Sequence, residues 1–376
     1  MIRPLLLLAT CSLLLPAQEG ALPCPEEPET IKTEDTVARL LQIHAQGHTS
    51  PAGERDQWAT IDLPTGRDEV VRLQIFLDQS DFGPGFIDGK AGTFTRLAVE
   101  NYNDSQGRAG DDLRLMAESH DAVSTVYATA IVPDFVKEYV DPTLPTKKPL
   151  QAKRPFMPYR SVGEFMAERY HTSVDLLIEL NGSDTILHAT ARSPMVVPNI
   201  KPFRIETMET GKSYHPDDAL SDRHVVIDTE KKQAYIYQIQ PNGMSKTQAA
   251  DSRAVKPCES QPLLVASFPI TPGKEEMIPR GFWKLMNSVE LPEWRYDPLL
   301  LDTGIRGKDS LAIPPGPNNP VGVIWNGLTK SGIGIHGTNN PRTIGRASSA
   351  GCIRLANWDA SRIPEQVRPG AVVWIK

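Results

Sequence analysis

Apolar residues recur at helical spacing in the first half of this chain and at strand spacing in the last two fifths, and that change of period divides the sequence. Thr36 to Gln46 reads as a helix, and so does Val70 to Leu77, which puts Val70, Leu73, Phe76 and Leu77 on one face. Gly83-Pro84-Gly85 then marks a turn, and Ile87 to Gly92 a tight loop in which Thr93 can cap a helix carrying Leu97, Ala98 and Tyr102. Asp141 to Pro158 repeats proline among Lys147, Lys148, Lys153 and Arg154, the pattern of an extended linker or wrapping segment. From His224 onward short apolar runs take over: His224 to Asp228 and Ala234 to Gln238 about a Glu230-Lys231-Lys232 turn, then Leu263 to Phe268, Phe282 to Leu285, Val321 to Trp325, Ile333 to Ile335 and Ala371 to Ile375. Such a series predicts a mainly-β sandwich with one helix over Ala356 to Glu365. The Gly-, Pro- and Asn-rich stretch from Gly304 to Pro320 is long enough to cover an active site.

Composition changes this picture in few places. At 376 residues the chain has room for two or three cores, and its 33 prolines against 27 glycines fit extended connectors. A formal charge of −6 gives no electrostatic footprint for nucleic acid. Met1 to Ala17 has a positive start at Arg3, an apolar run from Leu5 to Leu15 and a small residue at Ala17, which predicts a secretory signal too short to span a bilayer and an exported protein of the periplasm or cell envelope. No later segment is apolar enough to cross a membrane.

Removal of that segment leaves Cys24, Cys258 and Cys352. In an oxidising compartment Cys24 and Cys258 can pair if Cys352 is to stay a thiol; the other reading leaves Cys24 unpaired. Taken singly, Cys352 beside Ile353 is an ordinary buried cysteine and His336 an ordinary histidine. Together, His336-Gly337-Thr338 followed by Ser349-Ala350-Gly351-Cys352-Ile353-Arg354 supply a base and a nucleophile, since a thiol attacks carbonyls as thiolate and needs an imidazole or cationic neighbour. A zinc site would want closely spaced ligands such as C-x-x-C, which are absent from the sequence, and no other cofactor is called for.

Three stretches resemble known families. Val71-Arg72-Leu73-Gln74, Phe76-Leu77, the Phe86-x-Asp88-Gly89-x-x-Gly92 loop, Thr95, Ala98-Val99 and Tyr102 resemble the three-helix peptidoglycan-binding module of cell-wall enzymes. Tyr159 to Val162, Phe165, Ala167 to Tyr170, Leu176-Leu177, Leu180-Asn181 and Val196-Val197-Pro198 resemble a divergent LysM module, in the order strand, two helices, asparagine turn, strand. Val225 to Asp228, Tyr235 to Tyr237, Phe268 to Ile270, Pro279 to Phe282 and the H-G-T and S-A-G-C-I-R motifs resemble the L,D-transpeptidase catalytic domain. The implied architecture is multidomain: a signal peptide over 1–17, a small all-α peptidoglycan-binding-like domain over 35–130, a Pro-rich linker over 131–158, a small α+β LysM-like domain over 159–202, and a mainly-β L,D-transpeptidase sandwich over 203–376.

The last resemblance implies a cysteine acyltransferase acting on peptidoglycan stem peptides and glycan strands. Cys352 would be the nucleophile, His336 the base oriented by a backbone carbonyl, Gly351 with Cys352 the oxyanion donors and Ser349 the orderer of the Cys352 loop. Arg354, with Gly337 and Thr338, would bind substrate; Arg354 serves equally as a loop clamp. An L,D-carboxypeptidase or endopeptidase would use the same cysteine, and a wall-binding scaffold without catalysis is the remaining reading. The acyl acceptor and the oligomeric state leave no mark in the sequence.

Overall fold

The structure, a computed structural model, describes residues 62–239, 262–303, 305, 307–308, 310–347 and 351–376. The signal segment, the helix expected over Thr36 to Gln46, Cys24, Cys258 and Ser349 lie outside the described residues.

Three helices come first: α1 (Arg67–Gln79), α2 (Thr93–Ser105) and α3 (Arg114–Ala122). Val70, Leu73, Phe76 and Leu77, the face read from the spacing of α1, are all at 8% exposure or less, but Val71, Gln74, Ile75 and Asp78 are buried as well, so the helix is covered on more than that one face. Thr93 does not cap α2. Gly92 takes the cap position without a side-chain bond, and the preceding loop is held instead by Gln74, whose Oε1 accepts from the amides of Asp88 and Gly89 at 2.9 Å each. An amide side chain reaching from the neighbouring helix makes a local cap unnecessary there.

Strand β1 (Tyr127–Ile131) follows, then helices α4 (Val162–Arg169), α5 (Val174–Asn181) and α6 (Ser183–Leu187) and strand β2 (Pro194–Pro198). Tyr159 does not open a strand; it makes one parallel bridge to Val140. The antiparallel partner of β2 is β1, more than thirty residues earlier in the chain, in register from Tyr127 with Pro198 to Ile131 with Pro194. Ser161 and Ser173 cap α4 and α5 by accepting from Glu164 N and Leu176 N. Asn181 binds Leu177 O and both the amide and carbonyl of Val196, which ties the end of α5 to β2.

The C-terminal region holds β3 (His224–Asp228), β4 (Gln233–Ile239), β5 (Pro262–Pro269), β6 (Gly281–Glu290), β7 (Trp294–Tyr296), β8 (Leu311–Ile313), β9 (Ile324–Leu328), β10 (Gly334–His336), β11 (Ile353–Arg354), helix α7 (Asn357–Gln366) and β12 (Val372–Ile375). Eight of these strands form one sheet in the order β11-β10-β9-β6-β12-β3-β4-β5, while β7 and β8 pair as a separate hairpin-like ribbon. Strand β6 joins the two halves: residues 281–284 pair with β12, and residues 285–290 pair with β9 across a register irregularity between Leu285 and Asn287. Polar Lys284, Asn287 and Ser288 concealed the length of this strand in the sequence, where only Phe282 to Leu285 read as one. The expected strand at Val321 begins instead at Ile324, because Gly322 adopts a left-handed backbone (φ +64°) and turns the chain first.

Both faces of the β3–β4 region are covered. Val225, Ile227, Ala234 and Ile236 join the main core with Trp358 and Ile363 of α7 and with Phe165, Met166 and Leu177 of α4 and α5. Val226 and Tyr235 face the opposite way, into a second core with Val71, Leu73, Leu77 and Val99 of the first helices. Burial on both faces is why β3 reads as an unbroken apolar run rather than an alternation. The Pro-rich segment is not an extended spacer: Leu144 and Met157 pack with Ile313 of β8 against Trp294 and Tyr296 of β7, and Met157 N donates to Pro315 O at 2.8 Å. It wraps the ribbon.

Candidate active site

Strand pairing assembles the site. Parallel pairing of β10 with β11 sets Ile335 opposite Ile353 and His336 opposite Arg354, so Cys352, one residue ahead of β11, arrives beside the end of the strand that carries His336. Leu355 N donates to His336 O at 2.8 Å and closes the pair. On the other side of β11, Thr271 exchanges backbone bonds with Arg354 at 2.9 and 3.0 Å. His336, Cys352 and Arg354 line one cavity of about 850 Å³, together with Trp294 and Arg295 of the ribbon, Pro315, Val321, Trp325, Lys330 and Ile333.

His336 is 4% exposed. Its Nδ1 lies 2.6 Å from Gly337 O, which makes Nδ1 the protonated nitrogen and leaves Nε2 as the basic one. The indole of Trp325 stacks on the ring, 5.5 Å between centroids and 20° between planes. Burial pushes the imidazole down to about 4, against the carbonyls of Gly337 and Val321, which favour its protonated form, and with help from the Arg354 charge, which opposes it. The ring is neutral near pH 7 and able to accept a proton. Cys352 is partly exposed, and its Sγ donates to Gly332 O at 3.5 Å. Desolvation of the sulphur raises the thiol above the usual cysteine range, opposed by a backbone bond to Gly334 and by the Arg354 charge. Both shifts favour the uncharged form of each group.

The glycines of the two motifs frame the site rather than wall it. Gly351 has φ +101°, and a Cβ there would sit 2.9 Å from the Ile333 side chain and 3.0 Å from Met277 O. A Cβ on Gly337 would fall 2.2 Å from Asn357 Oδ1, and one on Gly322 2.1 Å from the same atom. Thr338, expected among the substrate-binding residues, is 2% exposed, and its Oγ1 accepts from Asn340 N at 3.2 Å within its own turn. Gly337 and Thr338 thus shape the His336 turn, while Arg354 alone of the three lines the cavity.

Sequence reasoning missed Trp325, Trp294 and Arg295 in the walls, and Asn357 behind them. Trp325 carried a faint signal in its place on a strand leading to the H-G-T motif. Asn357, a polar residue at the start of a helix, carried none. Among the described residues no group of His, Cys, Asp and Glu is arranged to hold a metal ion, and no helix is long and apolar enough to cross a membrane.

Residues 222–375, which include the β10–β11 pair with His336 and Cys352, match the model of the L,D-transpeptidase catalytic domain, the YkuD family. Among individual proteins, 61 residues are 48% identical to the YkuD protein of Bacillus licheniformis, itself named only provisionally as an L,D-transpeptidase; the match covers 16% of this chain and 37% of that one. A protein from the ATP synthase subunits region of Fuscovulum blasticum, provisionally named in the same way, is 37% identical over 91 residues, 24% of this chain and 47% of its own. The chain thus spans less than half of the length of either relative. Of solved structures, L,D-transpeptidase 3 from Mycobacterium tuberculosis aligns over 50% of this chain and 76% of its own at 14% identity, with a TM-score of 0.27.

Proposed function

We propose that this protein is an exported cell-wall L,D-transpeptidase in which Cys352 takes up a peptidoglycan tetrapeptide stem as a thioester, releases D-alanine and passes the stem to an amine. The observation that carries this reading is the shared cavity of Cys352 and His336, with Nδ1 of the imidazole occupied by Gly337 O. Nε2 of His336 takes the thiol proton as Sγ bonds to the carbonyl carbon between the third residue and the terminal D-alanine. The amides of Gly351 and Cys352 receive the developing oxyanion. As the C–N bond breaks, the imidazolium returns its proton to the leaving amine. An acceptor amine then adds to the thioester, loses its proton to His336, and expels the Cys352 sulphur.

Arg295, Lys330 and Arg354 in the lining suit a donor rich in carboxylates, and Glu276 and Glu293 on the same walls suit an approaching ammonium. Incubation of the protein with a tetrapeptide stem is expected to add the mass of the stem less D-alanine. Cys352→Ala is expected to abolish the adduct, and no adduct on the reduced wild-type thiol overturns the proposal. With a second stem or a simple amine present, cross-linked product indicates transfer and free tripeptide indicates hydrolysis.

A further inference from the structure

We propose that Glu168, which lies outside the residues matching the transpeptidase domain, is a positioning residue for His336, acting through the Asn357 amide on the peptide group that holds the imidazole.

The connection runs through four groups. Glu168, on α4, is 7% exposed. Its two carboxyl oxygens each lie 3.1 Å from Asn357 Nδ2, and Oε1 also accepts from Tyr159 Oη at 2.8 Å. Asn357 Oδ1 accepts from Thr338 N at 3.1 Å and from Val323 N at 3.3 Å. Thr338 N and Gly337 O belong to one peptide group, and Gly337 O is the acceptor 2.6 Å from His336 Nδ1. The same planar unit is therefore gripped by Asn357 on its N–H side and grips the catalytic ring on its C=O side.

Orientation of the Asn357 amide is what Glu168 contributes. With Oδ1 toward two backbone N–H groups and Nδ2 toward acceptors, every polar atom of the amide is used; a flipped amide would set NH₂ against two donors and oxygen against a carboxyl group. Pro317 O, 3.2 Å from Nδ2, is the other acceptor and can take only one of the two N–H bonds. Space is equally constrained, because Gly322 and Gly337 leave Asn357 Oδ1 where any side chain would displace it. Bonds in such a buried series polarise one another, and a shift at one end is passed along it. A second bond from the same helix braces the opposite wall: Glu164 Oε1 accepts from Asn318 Nδ2 at 3.0 Å, next to the cavity-lining Pro315 and Pro320.

The inference rests on the proposed chemistry of His336 and Cys352, so its test uses two readouts on the full chain. One is the rate of Cys352 alkylation by iodoacetamide as a function of pH, which needs no peptide substrate. The other is kcat and KM for the tetrapeptide stem, per folded molecule by circular dichroism. Glu168→Ala is expected to slow alkylation at neutral pH about tenfold and to lower kcat to a similar degree with KM within about twofold, the signature of misplaced catalytic groups. Glu168→Gln, which keeps an oxygen for Asn357 Nδ2, is expected to recover most of that loss. Glu168→Met fills the space without an acceptor and stands in where the alanine variant folds poorly; it is expected to behave as alanine does. Wild-type alkylation rates and pH profile in Glu168→Met or Glu168→Ala overturn the proposal, as does equal slowing by Glu168→Gln and Glu168→Met. Failure of the wild-type protein to react with any stem would overturn the proposed function while the alkylation series still decides the role of Glu168.

Discussion

Helix α7 meets the α4–α5 region at two points one residue apart, and the two contacts are built from opposite chemistry. At Asn357 the contact is made of amide and carboxyl groups, and it ends at the turn that follows His336. At Trp358 and beyond it is ionic. Arg362 donates to both oxygens of Asp78 at 3.0 Å and to Asp359 at 3.2 Å. His171 sits 3.1 Å from the same Asp78 oxygens and stacks flat on Trp358, 5.6 Å between centroids and 10° between planes. The Arg362 and His171 charges hold Asp78 down at about 2 in spite of its burial, whereas burial pushes Glu168 up to about 8. A buried ion-pair junction fixes where three pieces of chain meet; a largely uncharged clamp fixes how one peptide group is turned.

Breaking the junction should cost the most stability and the least chemistry. Arg362→Ala leaves Asp78 and Asp359 buried without their cation and is expected to lower stability by about 3–5 kcal/mol in denaturant titration, with the acylation rate per folded molecule unchanged. Asn357→Ala reverses the balance: Thr338 N, Val323 N and Glu168 lose their partner, for about 1–3 kcal/mol of stability and a fall in acylation rate of about a hundredfold. His171→Phe keeps an aromatic ring on Trp358 and drops the bond to Asp78, which retains Arg362; about 1 kcal/mol is expected.

Titration sharpens the same contrast. Folded Glu168 holds its proton up to about pH 8, whereas the unfolded side chain releases it near its ordinary value of 4.5, so stability is lost as pH rises through that window. Melting temperatures of wild type and Glu168→Gln are expected to diverge in favour of the variant between these values. Asp78 works the other way: its stabilisation is present above the ordinary carboxylate value of 3.8 and is lost as pH falls toward 2. His336 also loses stability on acidification, because the unfolded ring takes up a proton near 6.5 while the folded one resists until about 4. The smallest effect belongs to the exposed pair of Arg342 with Asp175 at 2.9 Å, where Arg342→Ala is expected to cost less than about 1 kcal/mol.

The parts of this arrangement that were legible in the sequence are those written in short-range pattern. Helix α1 showed four of its buried positions through a regular period, β3 showed itself as a short apolar run, and His336 and Cys352 stood inside motifs with their own glycines. What the sequence concealed depends on partners far along the chain. Glu168 and Asn357 are 189 residues apart, and nothing near either announces the other. The pairing of β1 with β2 across the segment that contains α4 to α6, and the packing of Leu144 and Met157 beneath the ribbon, are concealed for the same reason: they follow from what the tertiary fold brings together, and proline content alone left extended linker and wrapping segment as equal readings.

Strand β12 lies between β3 and β6 in the middle of the eight-stranded sheet, although every other strand of that sheet precedes it in the chain. The ladders β3-β4-β5 and β6-β9-β10-β11 are therefore joined through residues 372–375 alone, so the long-range contact that makes one sheet of them is available only once the end of the domain has been synthesised.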